Sequence, residues 1–273
     1  MELDSSSKQY VTINTHKGLF QYNRLVYGIA SAPAIFQQAM DCILQGLNGV
    51  HCYLDDILVF GKDFQECYDR TLAVLKRLQQ FNVKSNLSKC KWFTSSVEYL
   101  GQVISKEGRK PSPAKIQAII DFKVPTNVTE VRSFRGLLTH YINYLPNLST
   151  LDKPLRHLLE SNTKFVWTKD CQLSFEACKK LIVSCGLLIH YDPSLPISVA
   201  CDASPYGLGA ILSHVIIVNG KSVERPVMFV SCSLDPRQQR YSQIDREALA
   251  IIFAVTKFHK FIWGKKFTLF TDN

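Results

Sequence analysis

Hydrophobic positions in the first third of the chain switch between a period of two and a helical period. Residues 19–24 alternate apolar and polar side chains after Gly18, and the apolar positions from Ala34 to Leu44 recur every three or four residues. Alternation predicts a strand, and the longer spacing predicts a helix. The predicted elements are strands 10–14 and 19–24, helix 33–44, short strands flanking residues 55–56, helix 64–81, and strands 91–93 and 97–104. Their order predicts an α+β sheet with helices on one face.

The rest of the chain is first mainly helical and then returns to strands. A basic connection over residues 105–113 contains glycine and proline and predicts a module boundary. Beyond it we predict helices 113–122, 127–145, 149–159 and 169–185, strands 196–204, 210–212 and 225–231, helix 245–258 and strand 266–273.

Charge and cysteine content narrow the class of protein. The 32 Lys and Arg residues exceed the 23 Asp and Glu residues and give a formal charge of +9, as expected for a partner of a polyanion such as nucleic acid. The nine cysteines include no C-x-x-C pair, and Cys171, Cys178 and Cys185 share one predicted helix face. We interpret these three as small buried residues rather than zinc ligands.

The expected cellular location follows from the absence of a membrane span and of a secretory signal in the given sequence. No apolar run approaches the roughly 18 residues of a membrane span. The acidic, polar start of the chain does not resemble a secretory signal. We therefore expect a soluble intracellular protein, cytoplasmic or nuclear and not secreted, in which the cysteines stay reduced.

Two adjacent carboxylates, Asp55 and Asp56, interrupt the apolar run from His51 to Phe60. Ionised groups are costly to desolvate, so the β-forming flanks predict a hairpin with the acidic pair at its tip. One interpretation is a polar hairpin turn. The other is that the two carboxylates bind a hard divalent cation such as Mg²⁺, which prefers oxygen ligands.

A second set of acids comprises Asp202 and Asp272 at the ends of predicted strands and Glu247 in the first turn of a predicted helix. Taken singly, each has an ordinary role, as a turn former or as a complement to the helix dipole. Brought together, the three carboxylates require a cation. Two cations about 3.5–4 Å apart then clamp the attacking water and the leaving oxygen of a phosphodiester.

Basic side chains lie among the predicted helices after residue 105. Such residues are either a solvated helix face or contacts to phosphate, which position a nucleic acid without reading its sequence. The sequence leaves both interpretations open. The residues are Lys110, Lys115, Lys123, Arg132 and Arg135.

Several motifs, in order along the chain, resemble those of retroelement reverse transcriptases, specifically gypsy-type long-terminal-repeat retrotransposons. Residues 23–37 resemble the nucleotide- and template-facing segment, Tyr53-Leu54-Asp55-Asp56 the catalytic hairpin, and Tyr99-Leu100-Gly101 the primer grip. Residues 133–137, 141–142 and 146–147 are similar to the thumb, and residues 201–204, 241–243, 247–249 and 271–272 to the tethered RNase H domain.

The resemblance implies two catalytic sites. Asp55 and Asp56 would belong to the Mg²⁺ site of nucleotide addition, with Gln37 and Tyr53 lining the path of dNTPs and primer-template. Asp202, Glu247 and Asp272 would bind two Mg²⁺ ions, for which Mn²⁺ substitutes, and hydrolyse the RNA strand of an RNA–DNA hybrid. Tyr99, Leu100 and Gly101 would contact the primer.

The resemblance also implies a domain order. Residues 1–104 would form a palm that lacks much of the fingers and a further catalytic Asp, and 105–163 a small helical thumb. Residues 164–190 would be a tether, and 191–273 an RNase H-like α/β domain without its closing elements. We therefore expect a fragment of a retrotransposon polyprotein that is weak or inactive as a polymerase on its own.

Two alternatives remain at this point. A domesticated, non-catalytic fragment would bind nucleic acid without Mg²⁺, and its affinity would fall steeply with salt. A gene remnant that does not fold stably would show a broad thermal transition.

Overall fold

The computed structural model describes residues 1–160 and 163–272. The chain forms two compact units, one of residues 1–94 and one from Ser95 onward. Helices and strands occur in both units, which confirms the α+β class. The finer boundaries expected at residues 104, 163 and 190 stay predictions.

In the first unit, hairpins and helices alternate in the predicted order. Pro33 lies in the first turn of one helix, and Asp63 caps the other by accepting a hydrogen bond from the Glu66 amide at 2.8 Å. Both helix starts are therefore where the sequence places them. The elements are β1 (Thr12–Thr15), β2 (Gly18–Gln21), α1 (Ala32–Leu44), β3 (Val50–Tyr53), β4 (Asp56–Val59) and α2 (Phe64–Gln80).

The core of this unit lies between the two helices and one face of the β3–β4 hairpin. Met40 and Leu44 of α1 and Val74 and Leu78 of α2 are buried together. Side chains of the hairpin pack against this cluster and fix the hairpin on the helices; they are Val50, Cys52, Ile57 and Val59. The opposite face of β3, including Tyr53, is exposed.

Two predicted strands, 91–93 and 97–104, are wrong. Residues 91–93 are irregular, and 97–104 is not a single strand but a hairpin of β5 (Ser96–Tyr99) and β6 (Gln102–Ser105). Leu100 and Gly101 both have positive φ, at 51° and 74°, as a two-residue hairpin turn requires. The apolar character of the whole run hid the turn, because leucine is a rare residue at such a position.

The second unit begins with this hairpin, which β7 extends to three antiparallel strands, and continues with helices. The helix predicted over 127–145 is shorter: it ends at His140, and the Tyr141 amide bonds back to the carbonyls of Leu138 and Thr139. The helix predicted over 149–159 is divided in two. The elements are β7 (Gly108–Pro111), α3 (Pro113–Ile120), α4 (Val128–His140), α5 (Leu148–Leu151), α6 (Lys153–His157) and α7 (Lys169–Ser184).

Aromatic rings hold these helices together. Phe134 of α4 is fully buried, with its ring centroid 4.6 Å from that of Phe175 on α7 and 5.4 Å from that of Phe122. Cys171 and Cys178 of α7 are buried in the same core, as expected for small apolar residues, and Cys185 follows the helix.

The remainder of the second unit is a sheet in the order β10-β9-β8-β11, with one helix packed on it. Its helix α8 contributes Ala250, Ala254 and Phe258 to a core shared with Val199 and Leu212 of the sheet. The elements are β8 (Ile197–Ala203), β9 (Gly207–Val218), β10 (Lys221–Ser233), α8 (Gln243–Ile262) and β11 (Phe267–Phe270).

Strands β9 and β10 are longer than the predicted 210–212 and 225–231. They form one hairpin whose turn is Asn219-Gly220, both at positive φ. Asn-Gly between apolar runs is a strong hairpin signal, and it would have given the full lengths. The strand predicted over 266–273 ends at Phe270, and Asn273 lies outside the described residues.

Candidate catalytic sites

The β3–β4 hairpin carries the first acidic pair where the sequence predicts it. Tyr53 pairs with Asp56 to close the hairpin, and Leu54, at φ 52°, forms the turn with Asp55. Both Asp side chains are exposed, as is Tyr53. The carboxylates therefore remain hydrated at the tip of a hairpin that is anchored on its other face.

Gln37 of α1 fixes the backbone of this tip from the side. Its Oε1 accepts a hydrogen bond from the Leu54 amide at 2.6 Å, and its Nε2 donates to the Cys52 carbonyl at 3.1 Å. Nε2 also lies 2.8 Å from Oδ1 of Asp41, one helical turn further along α1. The amide thus satisfies one donor and one acceptor of the turn that presents Asp55 and Asp56.

Asp41 is a third carboxylate near the hairpin that the sequence reasoning missed. Burial raises the pKa of the Cys52 thiol, and the negative charges of Asp41, Asp56 and Asp55 raise it further. All three acids therefore act electrostatically on the same thiol. The spacing of Gln37 and Asp41, four residues apart on one helix, is the signal that could have drawn attention to Asp41.

Register brings Asp202 and Asp272 together at one end of the second sheet. Strands β8 and β11 are parallel neighbours, with Phe270 paired to Ala200. Asp202 lies two residues further along β8, and Asp272 lies two residues after Phe270, past the end of β11. Both carboxylates are exposed, and both residues line one cavity.

Glu247 reaches this end of the sheet from α8. Ser242 caps that helix by accepting from the Asp245 amide at 3.2 Å, so α8 begins two residues earlier than predicted and Glu247 lies in its second turn rather than its first. The residue is 4% exposed. Gln243 donates to its Oε1 at 2.6 Å, while Oε2 is buried without a partner among the described residues.

The three acids share one electrostatic neighbour. Burial raises the pKa of the Cys201 thiol, and Glu247, Asp202 and Asp272 each raise it further. The negative charges of all three carboxylates therefore act on the Cys201 thiol, which is next to Asp202 on β8. A buried carboxylate oxygen without a partner is costly, and a bound cation would satisfy it.

The donor set suits a hard cation, although the geometry is not that of a closed metal site. In residues 1–160 and 163–272, no three His, Cys, Asp or Glu side chains are arranged to hold a metal ion. The acidic oxygens and the unpaired Oε2 of Glu247 fit Mg²⁺ or Mn²⁺.

The predicted primer-grip residues form the turn between β5 and β6. Leu100 is exposed, and the Gly101 carbonyl accepts a hydrogen bond from the Tyr141 hydroxyl at 2.9 Å. Tyr99 is half-buried at the end of β5. The turn is therefore held against the end of α4.

The basic residues of the helical region divide into two groups. Arg135 donates through Nε to Oδ2 of the buried Asp152 at 2.8 Å, so its role is structural within this unit. The other four are exposed and remain open to a polyanion; they are Lys110, Lys115, Lys123 and Arg132.

Comparison with known protein families identifies two domains in the chain, one containing the β3–β4 hairpin and one containing most of the second acidic site. Residues 2–104 match the reverse transcriptase (RNA-dependent DNA polymerase) family, and residues 167–269 match the RNase H-like domain found in reverse transcriptase. The chain thus combines a reverse transcriptase domain with an RNase H-like domain.

Curated relatives are transposon polyproteins. The chain is 33% identical over its whole length to the retrovirus-related Pol polyprotein from transposon 297 of Drosophila melanogaster, covering 25% of that protein. It is 29% identical over 99% of its length to that of transposon gypsy from the same species, covering 27%. The chain belongs to this family of retrovirus-related Pol polyproteins, as its motifs predicted, and spans about a quarter of the length of these relatives.

Solved structures share the fold. The foamy viral protease-reverse transcriptase dRH in complex with double-stranded DNA has a TM-score of 0.84 at 21% identity, covering 98% of this chain and 47% of that one. The foamy viral protease-reverse transcriptase with RNA/DNA hybrid has a TM-score of 0.79 at 20% identity, covering 98% and 36%. Among the described residues, no helix is long and apolar enough to span a membrane.

Proposed function

We propose that the Asp202, Glu247 and Asp272 site hydrolyses the RNA strand of RNA–DNA hybrids. The supporting observation is the buried, unpaired Oε2 of Glu247 at the end of the sheet where Asp202 and Asp272 line one cavity. A site of acidic oxygens suits phosphodiester hydrolysis assisted by divalent cations. It also needs no contact that reads base sequence, because hybrids differ from DNA in backbone geometry and the 2′-hydroxyl.

The residues have separate tasks in this proposal. Asp202, Glu247 and Asp272 would hold two Mg²⁺ ions, or Mn²⁺ in their place. The cations would supply the charge that stabilises the attacking and leaving oxygens. Gln243 restrains the Glu247 side chain through the hydrogen bond to Oε1, so that the free Oε2 keeps its direction.

We propose nucleotide addition as a second activity. Its support is the β3–β4 hairpin, whose turn is held by hydrogen bonds to the Gln37 amide. Asp55 and Asp56 would hold Mg²⁺ near the primer end, and Tyr53 beside them would contact dNTPs and primer-template. Tyr99, Leu100 and Gly101 would contact the primer strand. Gln37 would line the same path as Tyr53, and it also supports the turn, because both ends of its amide bond to the hairpin.

The proposed location is inside the cell, in the cytoplasm or nucleus. All nine cysteines, each within the described part of the chain, are free thiols. This agrees with a reducing compartment.

Hybrid cleavage tests the main proposal. With a labelled RNA–DNA duplex and Mg²⁺ or Mn²⁺, we expect the chain to cleave RNA and Asp202→Asn to lower the rate about 10²–10³-fold, since one carboxylate ligand loses its charge. Asp192→Asn is the matched control, because the Asp192 carboxylate is exposed and accepts hydrogen bonds from Ser194, while the Asp192 amide donates to His214.

Cleavage that persists at the wild-type rate in Asp202→Asn would refute the assignment. Absence of cleavage together with Mg²⁺-independent, salt-sensitive binding of the hybrid would favour the non-catalytic alternative.

A further inference from the structure

The segment between α4 and α6, residues 146–150, lies against the RNase H-like sheet beside the acid site. The hydroxyls of Thr150 and Ser204 are 2.8 Å apart, and Ser204 follows the strand that carries Asp202. The Lys153 ammonium lies 3.1 Å from the centroid of the Tyr206 ring. These contacts hold the segment on the loop between β8 and β9.

Two glycines on one face of β9 make room for this segment. A Cβ atom on Gly207 would collide with the Ser149 hydroxyl, and a Cβ on Gly209 would collide with Oδ1 of Asn147. The two glycines are alternate residues of a strand and so face the same way. Because Gly209 has no side chain, the Asn147 amide can lie directly on the backbone of β9.

That position is next to the acids. Gly209 pairs with Asp202 across the β8–β9 ladder. Asn147, Pro146, Asp202 and Asp272 all line one cavity of about 370 Å³. The cavity therefore has walls from two parts of the chain, the helical segment and the sheet that carries the acids.

The Asn147 amide packs on β9, but its hydrogen-bonding groups are not engaged there. Its residue is exposed, it forms no cap bond to α5, and within the described residues its amide makes no hydrogen bond. The backbone there is in the left-handed region, at φ 50°, which asparagine tolerates better than most residues. A polar group with free hydrogen-bonding capacity thus lies among carboxylates at the mouth of the cavity.

We infer that Asn147 binds the nucleic-acid strand at the acid site, its amide N–H groups donating to a phosphate or 2′-hydroxyl oxygen. This inference rests on the proposed hydrolysis of hybrids and adds a substrate contact from outside the RNase H-like domain. A neutral donor suits the position, because carboxylates repel phosphate and an amide supplies hydrogen bonds without altering the charge at the cations.

The experiment compares Asn147→Gly with Asn219→Gly. Glycine accommodates positive φ at no steric cost, so each variant removes a side chain without backbone strain. Asn219, at φ 53°, lies in the β9–β10 turn and provides the matched control. Binding is measured by fluorescence anisotropy of a labelled RNA–DNA hybrid in Ca²⁺, cleavage is measured in Mg²⁺, and thermal midpoints are recorded for all variants.

We expect Asn147→Gly to raise the Kd for the hybrid and the KM of cleavage about 3–10-fold, as for loss of one or two hydrogen bonds, with little change in kcat. Asn219→Gly should match the wild type in Kd and KM, and both variants should keep the wild-type thermal midpoint within a few degrees. Asn147→Asp should weaken binding further, because it adds a charge that repels phosphate.

An unchanged Kd in Asn147→Gly would overturn the inference, and so would faster cleavage, which would mean that the side chain obstructs the site. The two proposals fail separately. Loss of the Asn147 effect with Asp202-dependent cleavage intact refutes only the contact, whereas a chain that binds hybrid through Asn147 and does not cleave it refutes only the hydrolysis.

Discussion

Replacing Gln37 by leucine is expected to lower the weak nucleotide addition of this chain by about 100-fold while leaving the fold intact. Leucine keeps much of the volume but cannot bond to the Leu54 amide and the Cys52 carbonyl. The turn would then shift, and a displacement of about 1 Å in a catalytic group costs on the order of 10² in rate. The measurement is primer extension with Mg²⁺, combined with hydrogen exchange at the Leu54 amide.

Gln38→Leu is the matched control for this effect. Gln38 is the next residue of the same helix, and it is exposed. Its substitution should leave both primer extension and Leu54 protection at wild-type values. Retained Leu54 protection in Gln37→Leu would contradict the positioning role, and this readout does not depend on the rate of the wild-type chain.

Replacing Phe134 by alanine is expected to lower the free energy of unfolding by about 3–5 kcal/mol. The ring is fully buried between Phe122 and Phe175, so its removal leaves a cavity bordered by α4, α7 and the segment that follows α3. Urea denaturation followed by circular dichroism measures the change.

Leu137→Ala is the control for this substitution. Leu137 is on the same helix but is 39% exposed, and we expect a loss of well under 1 kcal/mol. Equal losses for the two variants would contradict the assignment of Phe134 to the core of this unit.

Local signals in the sequence located much of the fold. Asp63 predicts the start of α2 because a short acidic side chain accepts the first free amides of a helix. The acidic pair predicts a hairpin tip because two adjacent charges cannot be buried in an apolar run. Two turns that the sequence analysis did not predict, Leu100-Gly101 and Asn219-Gly220, are also local features. The second could have been predicted, because Asn-Gly is a common hairpin turn.

The arrangement of the acid site depends on pairings between residues far apart in the chain. The sequence places Asp202 and Asp272 at the ends of predicted strands, but only the parallel pairing of β8 with β11 brings those ends to the same side of the sheet. The register of Gly209 with Asp202, and the contact of Asn147 with Gly209, likewise join distant segments. Such contacts arise from tertiary packing and leave little trace in local periodicity.

Gln37 illustrates what the structure adds to the interpretation of a predicted site residue. The resemblance implies a place on the nucleotide path, and the hydrogen bonds show in addition that both ends of the amide engage the hairpin. Arg135 is similar: a basic residue among helices predicts a phosphate contact or a solvated face, and it instead pairs with the buried Asp152. In both cases the partner is 15 or more residues away.

The most direct test of the central claim is to locate Mn²⁺ by anomalous diffraction in crystals of the chain grown with that cation. We predict density within about 2.0–2.3 Å of carboxylate oxygens of Asp202, Glu247 and Asp272, with Oε2 of Glu247 among the ligands. Manganese density that lies elsewhere on the chain, with none at these three acids, would contradict the claim that they form a cation-dependent hydrolytic site.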